Sequence, residues 1–260
     1  MDRKEFLKAV KEDPYQIENA DEAFKKDKEI VLTAVKGNGN VLEYVHVSLK
    51  KDKDVVLAAI KEGAHAIAFA DDTLKKDKNI MLTAIKDNGD SLEHAHSSLK
   101  KDKDVVLAAI KNSGSAIEYA DASFQKDKKI VLMAVSTSSE ALDYADASLK
   151  KDKEIVKASL KQNGYSLQYA DTSLKKDKEI VSMAVQSNGN ALRFADASLQ
   201  KNKEIVMLAV NKTGRALEYV DKSLTKDKEV VMAAVKQDGE ALEYADKSLK
   251  KDKDIVKAAK

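Results

Sequence analysis

Two basic residues flank an acidic one, and the Lys-Asp-Lys pattern returns every 25 positions along the chain. The preceding column includes Lys51, Lys76, Lys101, Lys126 and Lys151, and the following column includes Lys53, Lys78, Lys103, Lys128 and Lys153. Ammonium groups at a fixed interval along one edge could track a phosphate backbone, each contact releasing condensed counterions. These lysines are the candidate polyanion-binding residues. The competing reading is a hydrated edge, in which lysines near a helix C-terminus complement its dipole and the acid between them dilutes their charge.

Variety marks a second candidate surface. With the flanked acid counted as position zero of each repeat, position 13 holds Asn40, His65, Asp90, Ser115, Glu140, Tyr165, Asn190, Arg215 and Glu240. Positions 9 to 11 also change, from "KGN" through "STS" to "QSN". A repeat scaffold recognises its partner through positions that stacking leaves unconstrained, so this column is the candidate protein-binding surface. Unselected loop drift is the alternative. An aromatic column at position 17 runs Tyr44, Phe69, His94, Tyr119, Tyr144, Tyr169, Phe194, Tyr219, Tyr244. It could stack bases or peptide groups, but the phenylalanines show that the hydroxyl is dispensable, and packing at the edge of a core accounts for it better.

Catalytic and metal chemistry find little support. Histidine occurs only at His46, His65, His94 and His96. His46 and His96 share a column two repeats apart, about 20 Å on the spacing of packed helices, and His94 and His96 point in different directions on a helix. No phosphate-binding glycine loop, zinc-protease helix, calcium loop or nucleophile elbow occurs. The expectation is a protein that is not an enzyme and uses no cofactor or metal. Asn211-Lys212-Thr213 is a glycosylation sequon that lacks a secretory context.

Composition narrows the partner class. The chain has 46 basic and 44 acidic residues in a 35% charged total, so a global field does not announce a partner and any charge signal is local. The 43% hydrophobic fraction suffices for a core. Cysteine is absent, which excludes disulfides and thiolate sites and fits a reducing compartment. The opening "MDRKEFLKAV" carries charges where a signal peptide needs an apolar run, and no stretch approaches the roughly 18 apolar residues of a membrane span. These features predict a cytoplasmic protein with neither a membrane nor a small-molecule substrate as partner.

The elements that must position these columns follow from the repeat itself. Acids or their amide at Asp2, Asp27, Asp52, Asp77, Asp102, Asp127, Asp152, Asp177, Asn202, Asp227 and Asp252 mark ten units and a terminal half unit over 252–260, without insertion or deletion. The string "SLKKDKDVVLAAIK" at 48–61 recurs at 98–111, and Thr33/Ala58/Thr83/Ala108 alternate, so the inherited block is a pair of units. Apolar residues at positions 3, 4, 7 and 8, such as Ile30, Val31, Ala34 and Val35, fall on one arc of a helix, here helix A. A second arc at positions 14, 15, 18 and 22, such as Ala141, Leu142, Ala145 and Leu149, predicts helix B. Position 12 between them is glycine in seven of ten units, as expected of a left-handed helix stop, with Pro14 in the first unit. The marker acid is placed to cap helix A.

Helices of about ten residues are marginal alone in water, so stacking must hold them. The prediction is a single all-α domain over 1–260, an α-solenoid of about ten 25-residue helix-turn-helix repeats plus a half repeat. Axes about 8–10 Å apart give a rod on the order of 100 Å long. Glu5 and Asn19 at one end, and Lys257 and Lys260 at the other, give the terminal units polar outer faces.

The strings "LKKDKEIV", "AVKQDG" and "ALEYADKSLKKDKDIV" resemble an uncharacterised helical-repeat family catalogued as domain of unknown function 4116, found in bacteria and protists. The family unit of about fifty residues looks like two of these hairpins, and the resemblance covers residues 27–256. It implies the helical-repeat fold and assigns no catalytic residue. The function expected from all of this is a non-catalytic scaffold for a protein partner, with nucleic acid or another polyanion on the lysine edge as the alternative.

Overall fold

The computed structural model describes residues 1–260 and contains helices without strands. Its contacts form two compact units, Met1–Gln125 and Lys126–Lys260. In the first, ten-residue α-helices at Arg3–Glu12, Lys28–Gly37, Lys53–Glu62, Lys78–Asp87 and Lys103–Asn112 occupy the helix A positions. In the second they are Lys128–Thr137, Lys153–Gln162, Lys178–Ser187, Lys203–Lys212 and Lys228–Gln237, with a shorter Lys253–Ala258. No helix is long and apolar enough to cross a membrane.

Each helix A starts where the marker acid caps it. Asp152 Oδ1 accepts from the N–H groups of Glu154 and Ile155 at 2.9 and 3.4 Å, and Asp27 does the same for Glu29 and Ile30. Such caps satisfy two of the donors that a helix N-terminus leaves free. The predicted arc is the buried one: Ile30, Val31, Ala34 and Val35 have no exposed surface, and Ile180, Val181, Ala184 and Val185 repeat this in the second unit. Within each unit successive A helices pack side by side, and the residues that follow them close the other half of the core through pairs such as Val41/Leu42 and Ala191/Leu192. This is α-solenoid stacking, in which each repeat covers its neighbour's apolar face.

Helix B is not a continuous α-helix. Its first half is a 3-10 helix, as at Gly89–His94, Gly164–Tyr169 and Gly214–Tyr219. Position 18 is extended, with φ −66° and ψ 152° at Ala170, and a single turn follows. The break has two causes. The Asp171 N–H donates to the Lys150 carbonyl of the preceding repeat at 3.0 Å, a bond that a continuous helix would have used internally. The Asp171 carboxylate then caps the next turn through the Ser173 N–H and hydroxyl at 2.9 and 2.6 Å. Apolar residues three and four apart suit an α-arc and this broken arrangement equally.

The glycine slot also has a different cause from the predicted left-handed stop, because no residue occupies the left-handed region of positive φ. A Cβ at Gly164 would lie 2.3 Å from the carbonyl oxygen of Ala184 in the next helix A, and one at Gly189 would lie 2.3 Å from that of Ala209. Glycine is there so that one repeat can sit against the backbone of the next.

Candidate functional site

The lysine column that follows the marker acid is built into the repeat-to-repeat contact. Lys28 Nζ lies 2.7 Å from Asp52 and 3.0 Å from Asp54, the cap and first-turn acids of the next repeat. Lys78 sits 2.9 Å from both Asp102 and Asp104, and Lys53 is 2.6 Å from Asp77. In the second unit Lys128 bridges Asp152 and Glu154 at 2.7 and 2.8 Å, and Lys153 pairs with Asp177 at 2.6 Å. Arg3 begins the ladder on Asp27 and Glu29. Hydrogen bonds donated to these carboxylates hold Lys78, Lys128 and Lys153 above the ordinary lysine range. The same bonds hold Asp77, Asp102, Asp152 and Asp177 below the usual carboxylate range.

The preceding column is freer. Lys51 and Lys101 approach Asp71 and Asp121 only to 3.8 Å, with 56% and 68% of their side-chain surface exposed. Lys126 and Lys151 feel the charges of Asp146 and Asp171, and Lys76 is exposed. The facing acids are themselves capping residues. Hydrogen bonds from Thr73 and Ser123 hold Asp71 and Asp121 below the carboxylate range. Most rungs of the basic edge are therefore matched by an acid in the neighbouring repeat; the exceptions are Lys76, whose counterpart position in the next repeat holds His96, and Lys103, which follows Asp102 without an ion pair of its own.

A third lysine column, unremarked in the sequence, closes the 3-10 segments. Lys50, Lys150, Lys175 and Lys250 donate to the carbonyls of Glu43, Asp143, Gln168 and Glu243 at 2.5–2.6 Å. Burial holds Lys50 and Lys175 below the ordinary lysine range. Gln125 and Gln200 do the same work with a carboxamide. That exchange of Lys for Gln, never for an acid, is the sequence signal of a donor position.

The variable column stands on the first turn of each 3-10 segment. Asn38, Asn163, Asn188 and Asp238 cap these turns by accepting from the N–H groups of Asn40, Tyr165, Asn190 and Glu240 at 2.9–3.1 Å. Asn40, His65, Glu140, Arg215 and Glu240 are exposed, and Asp90, Ser115, Tyr165 and Asn190 half-exposed. Neighbours in the column meet: Ser115 donates to Asp90 at 3.3 Å, and Arg215 pairs with Asp238 at 3.2 Å and with Glu240. The aromatic column lies beside it, half-buried. Tyr165 meets the edge of Phe194 with ring centres 5.8 Å apart, and the Arg193 guanidinium lies over both Phe194 and Tyr219. Burial holds Tyr119 and Tyr169 above the ordinary phenol range.

The histidines are accounted for singly. His46 and His96 occupy the capping position that aspartate holds elsewhere, their Nδ1 atoms 2.8 Å from the Ser48 and Ser98 hydroxyls. His94 stands in the aromatic column, where burial holds it below the ordinary imidazole range. No three His, Asp or Glu side chains come together in a way that could hold a metal ion.

Helix A carries a second apolar stripe that faces out. Leu32, Leu57 and Ala58, rimmed by Lys36, Asp54 and Lys61, line a groove between adjacent helices, and Leu132, Lys157, Ala158 and Lys161 line its counterpart in the second unit. The sequence shows this stripe as leucine or methionine at position 5 in most repeats.

The family model described as domain of unknown function (DUF4116) matches residues 2–50, 27–75, 52–100, 77–125, 102–150, 127–175, 152–200, 177–225 and 227–259. The chain belongs to this family. The DUF4116 matches begin at each marker from Asp2 to Asp177 and again at Asp227, and all but the last span two repeats, so the family unit is the pair of hairpins that the alternating columns indicate. No curated protein and no solved structure matches the chain.

Proposed function

We propose that this DUF4116 chain is a non-catalytic scaffold that docks a protein partner on the edge formed by its helix A to 3-10 turns. The observation that carries this reading is the contrast between a constant backbone and changing side chains. Asn40, Tyr165, Asn190 and Glu240 are presented by turns of the same capped geometry, yet they offer amide, phenol and carboxylate in turn. Stacking needs none of these identities, and a modular reading surface uses such positions.

The ion-pair ladder supports this reading over a polyanion track. Lysines already bonded to two carboxylates, as Lys78 and Lys128 are, must break those bonds before they can neutralise phosphates. The test is affinity capture with the intact chain and with an alanine block at Glu140, Tyr165, Asn190, Arg215 and Glu240. A protein retained by the first and lost by the second is the expected result. Capture indifferent to the block sinks the proposal. DNA, RNA or heparin binding that falls steeply with salt and vanishes on Lys51/Lys76/Lys101→Ala would replace it with the polyanion reading.

A further inference from the structure

Three departures from the repeat columns converge on one cavity in the second unit. At position 23, Lys150, Lys175, Gln200 and Lys250 all reach back to a 3-10 carbonyl. Their counterpart between Gln200 and Lys250 is Thr225, whose hydroxyl turns onto the Lys222 carbonyl at 3.0 Å and is too short to cross to Glu218. At position 20 the preceding repeats carry Ala147, Thr172 and Ala197, and then lysine enters twice, as Lys222 and Lys247. Stacking asks for none of these changes, since sibling repeats pack without them.

An open cavity of about 490 Å³ lies beside Thr225. Leu217, Val220 and Tyr244 give it apolar lining, and Lys222, Lys226, Lys247 and Lys250 line it as well, the Lys250 ammonium using one of its three N–H donors on the Glu243 carbonyl at 2.5 Å. Only two carboxylates line it, those of Glu218 and Asp246, and Asp246 accepts from the Ser248 N–H and hydroxyl at 3.0 and 2.7 Å while its charge faces Lys226 and Lys247. Four cations against two anions leave an excess of two positive charges around a cavity of limited size. An extended polyanion would be served by the lysine columns common to all repeats, whereas the added lysines occur only here. A compact dianion with an apolar body matches both the charge and the wall, and a phosphate monoester is doubly ionised at neutral pH, its second pKa being about 6.

We propose that this cavity binds a phosphate monoester, its phosphate among Lys222, Lys226, Lys247 and Lys250 and its organic body against Leu217, Val220 and Tyr244. The site goes beyond the scaffold reading and does not depend on it. The phosphate can come from a free small molecule or from a phosphorylated side chain of a partner, and one experiment distinguishes them.

The full chain is titrated calorimetrically with phenyl phosphate, inorganic phosphate and a short phosphotyrosine peptide. Phenyl phosphate is expected to saturate one site and to bind more tightly than inorganic phosphate. Thr225→Lys, which puts the column's own residue at the cavity, and Lys222→Ala/Lys247→Ala, which restores the alanine of sibling repeats, should each weaken it about tenfold or more. Both variants install residues that other repeats already accommodate, and circular dichroism checks that the helices remain. A phosphopeptide that binds more tightly than phenyl phosphate identifies a modified partner as the source, and one that binds no more tightly identifies a free small molecule; either supports the site. The proposal is overturned if phenyl phosphate shows no saturable binding, binds no more tightly than inorganic phosphate, or is indifferent to both variants.

Discussion

The Ser159 hydroxyl donates to the Ser139 carbonyl at 2.9 Å, across the step from one repeat to the next. Both residues break their columns: Ser139 stands in the glycine slot, and Ser159 is the one residue at position 7 that is not alanine. Elsewhere a glycine meets the carbonyl of that alanine, so this rung replaces close backbone approach with a hydrogen bond, and Ser159 is fully buried. Ser159→Ala removes the bond at a cost of about 1 kcal/mol, partly offset by alanine's better helix propensity of about 0.5 kcal/mol. Ser139→Gly/Ser159→Ala rebuilds the sibling pair and should recover the loss. A double-mutant cycle in urea is expected to give coupling of about 0.5 kcal/mol or more; strict additivity would show that the two serines are independent.

Gly189 and Gly63 separate the two uses of glycine. A Cβ at Gly189 meets the Ala209 carbonyl at 2.3 Å and Thr213 Cβ at 2.8 Å, whereas one at Gly63 meets nothing within 4 Å. Gly189→Ala must push two repeats apart and should cost about 1–3 kcal/mol. Gly63 has extended backbone, with φ 179°, that alanine adopts freely. Gly63→Ala should therefore stabilise by about 0.4–1 kcal/mol through the unfolded chain. Thermal melts of the two variants should move in opposite directions.

This contrast shows what the sequence could and could not convey. The buried arc of helix A was legible because Ile30, Val31, Ala34 and Val35 are local neighbours at helical spacing, and so was the cap at Asp27. The role of Gly189 was hidden because its reason lies on Ala209, in another repeat, and glycine looks the same in a left-handed turn as in a close contact. Segment B was misread as one helix because Ala170 can be helical or extended, and the bond that decides it, Asp171 to the Lys150 carbonyl, joins two repeats. The lysine columns were visible, but not that Lys78 faces Asp102 and Asp104, since periodicity fixes spacing and leaves the facing rung open. Whatever one repeat does to itself is written in its own residues; whatever it does to the next is set by how the two pack.

Lys175 is a donor before it is a charge. Its ammonium reaches the Gln168 carbonyl at 2.6 Å, and Gln200 meets the same need with a neutral carboxamide. Lys175→Gln is expected to leave the denaturation midpoint almost unchanged. Lys175→Thr cannot span the distance and should cost about 1 kcal/mol, the value of one hydrogen bond. Equal losses in the two variants would mean that the charge matters and the bond does not.

Asn202 interrupts the carboxylate ladder. It caps only Ile205, at 3.2 Å, and Lys178 is left with Glu204 at 2.7 Å, where Lys128 has both a cap aspartate and a first-turn glutamate. Asn202→Asp should complete the rung and raise the melting temperature at neutral pH. The pH dependence follows from the sibling caps Asp152, Asp177 and Asp227, whose hydrogen bonds to lysine hold them below the usual carboxylate range when folded. A carboxylate of this kind contributes fully above its unfolded pKa of about 3.9 and stops contributing as pH falls through the lower folded value. The stabilisation from Asn202→Asp should therefore be present at pH 7, shrink in high salt, and disappear in melts at acidic pH below that window. A gain that survives there would have to come from helix capping alone, because a protonated aspartic acid no longer pairs with Lys178.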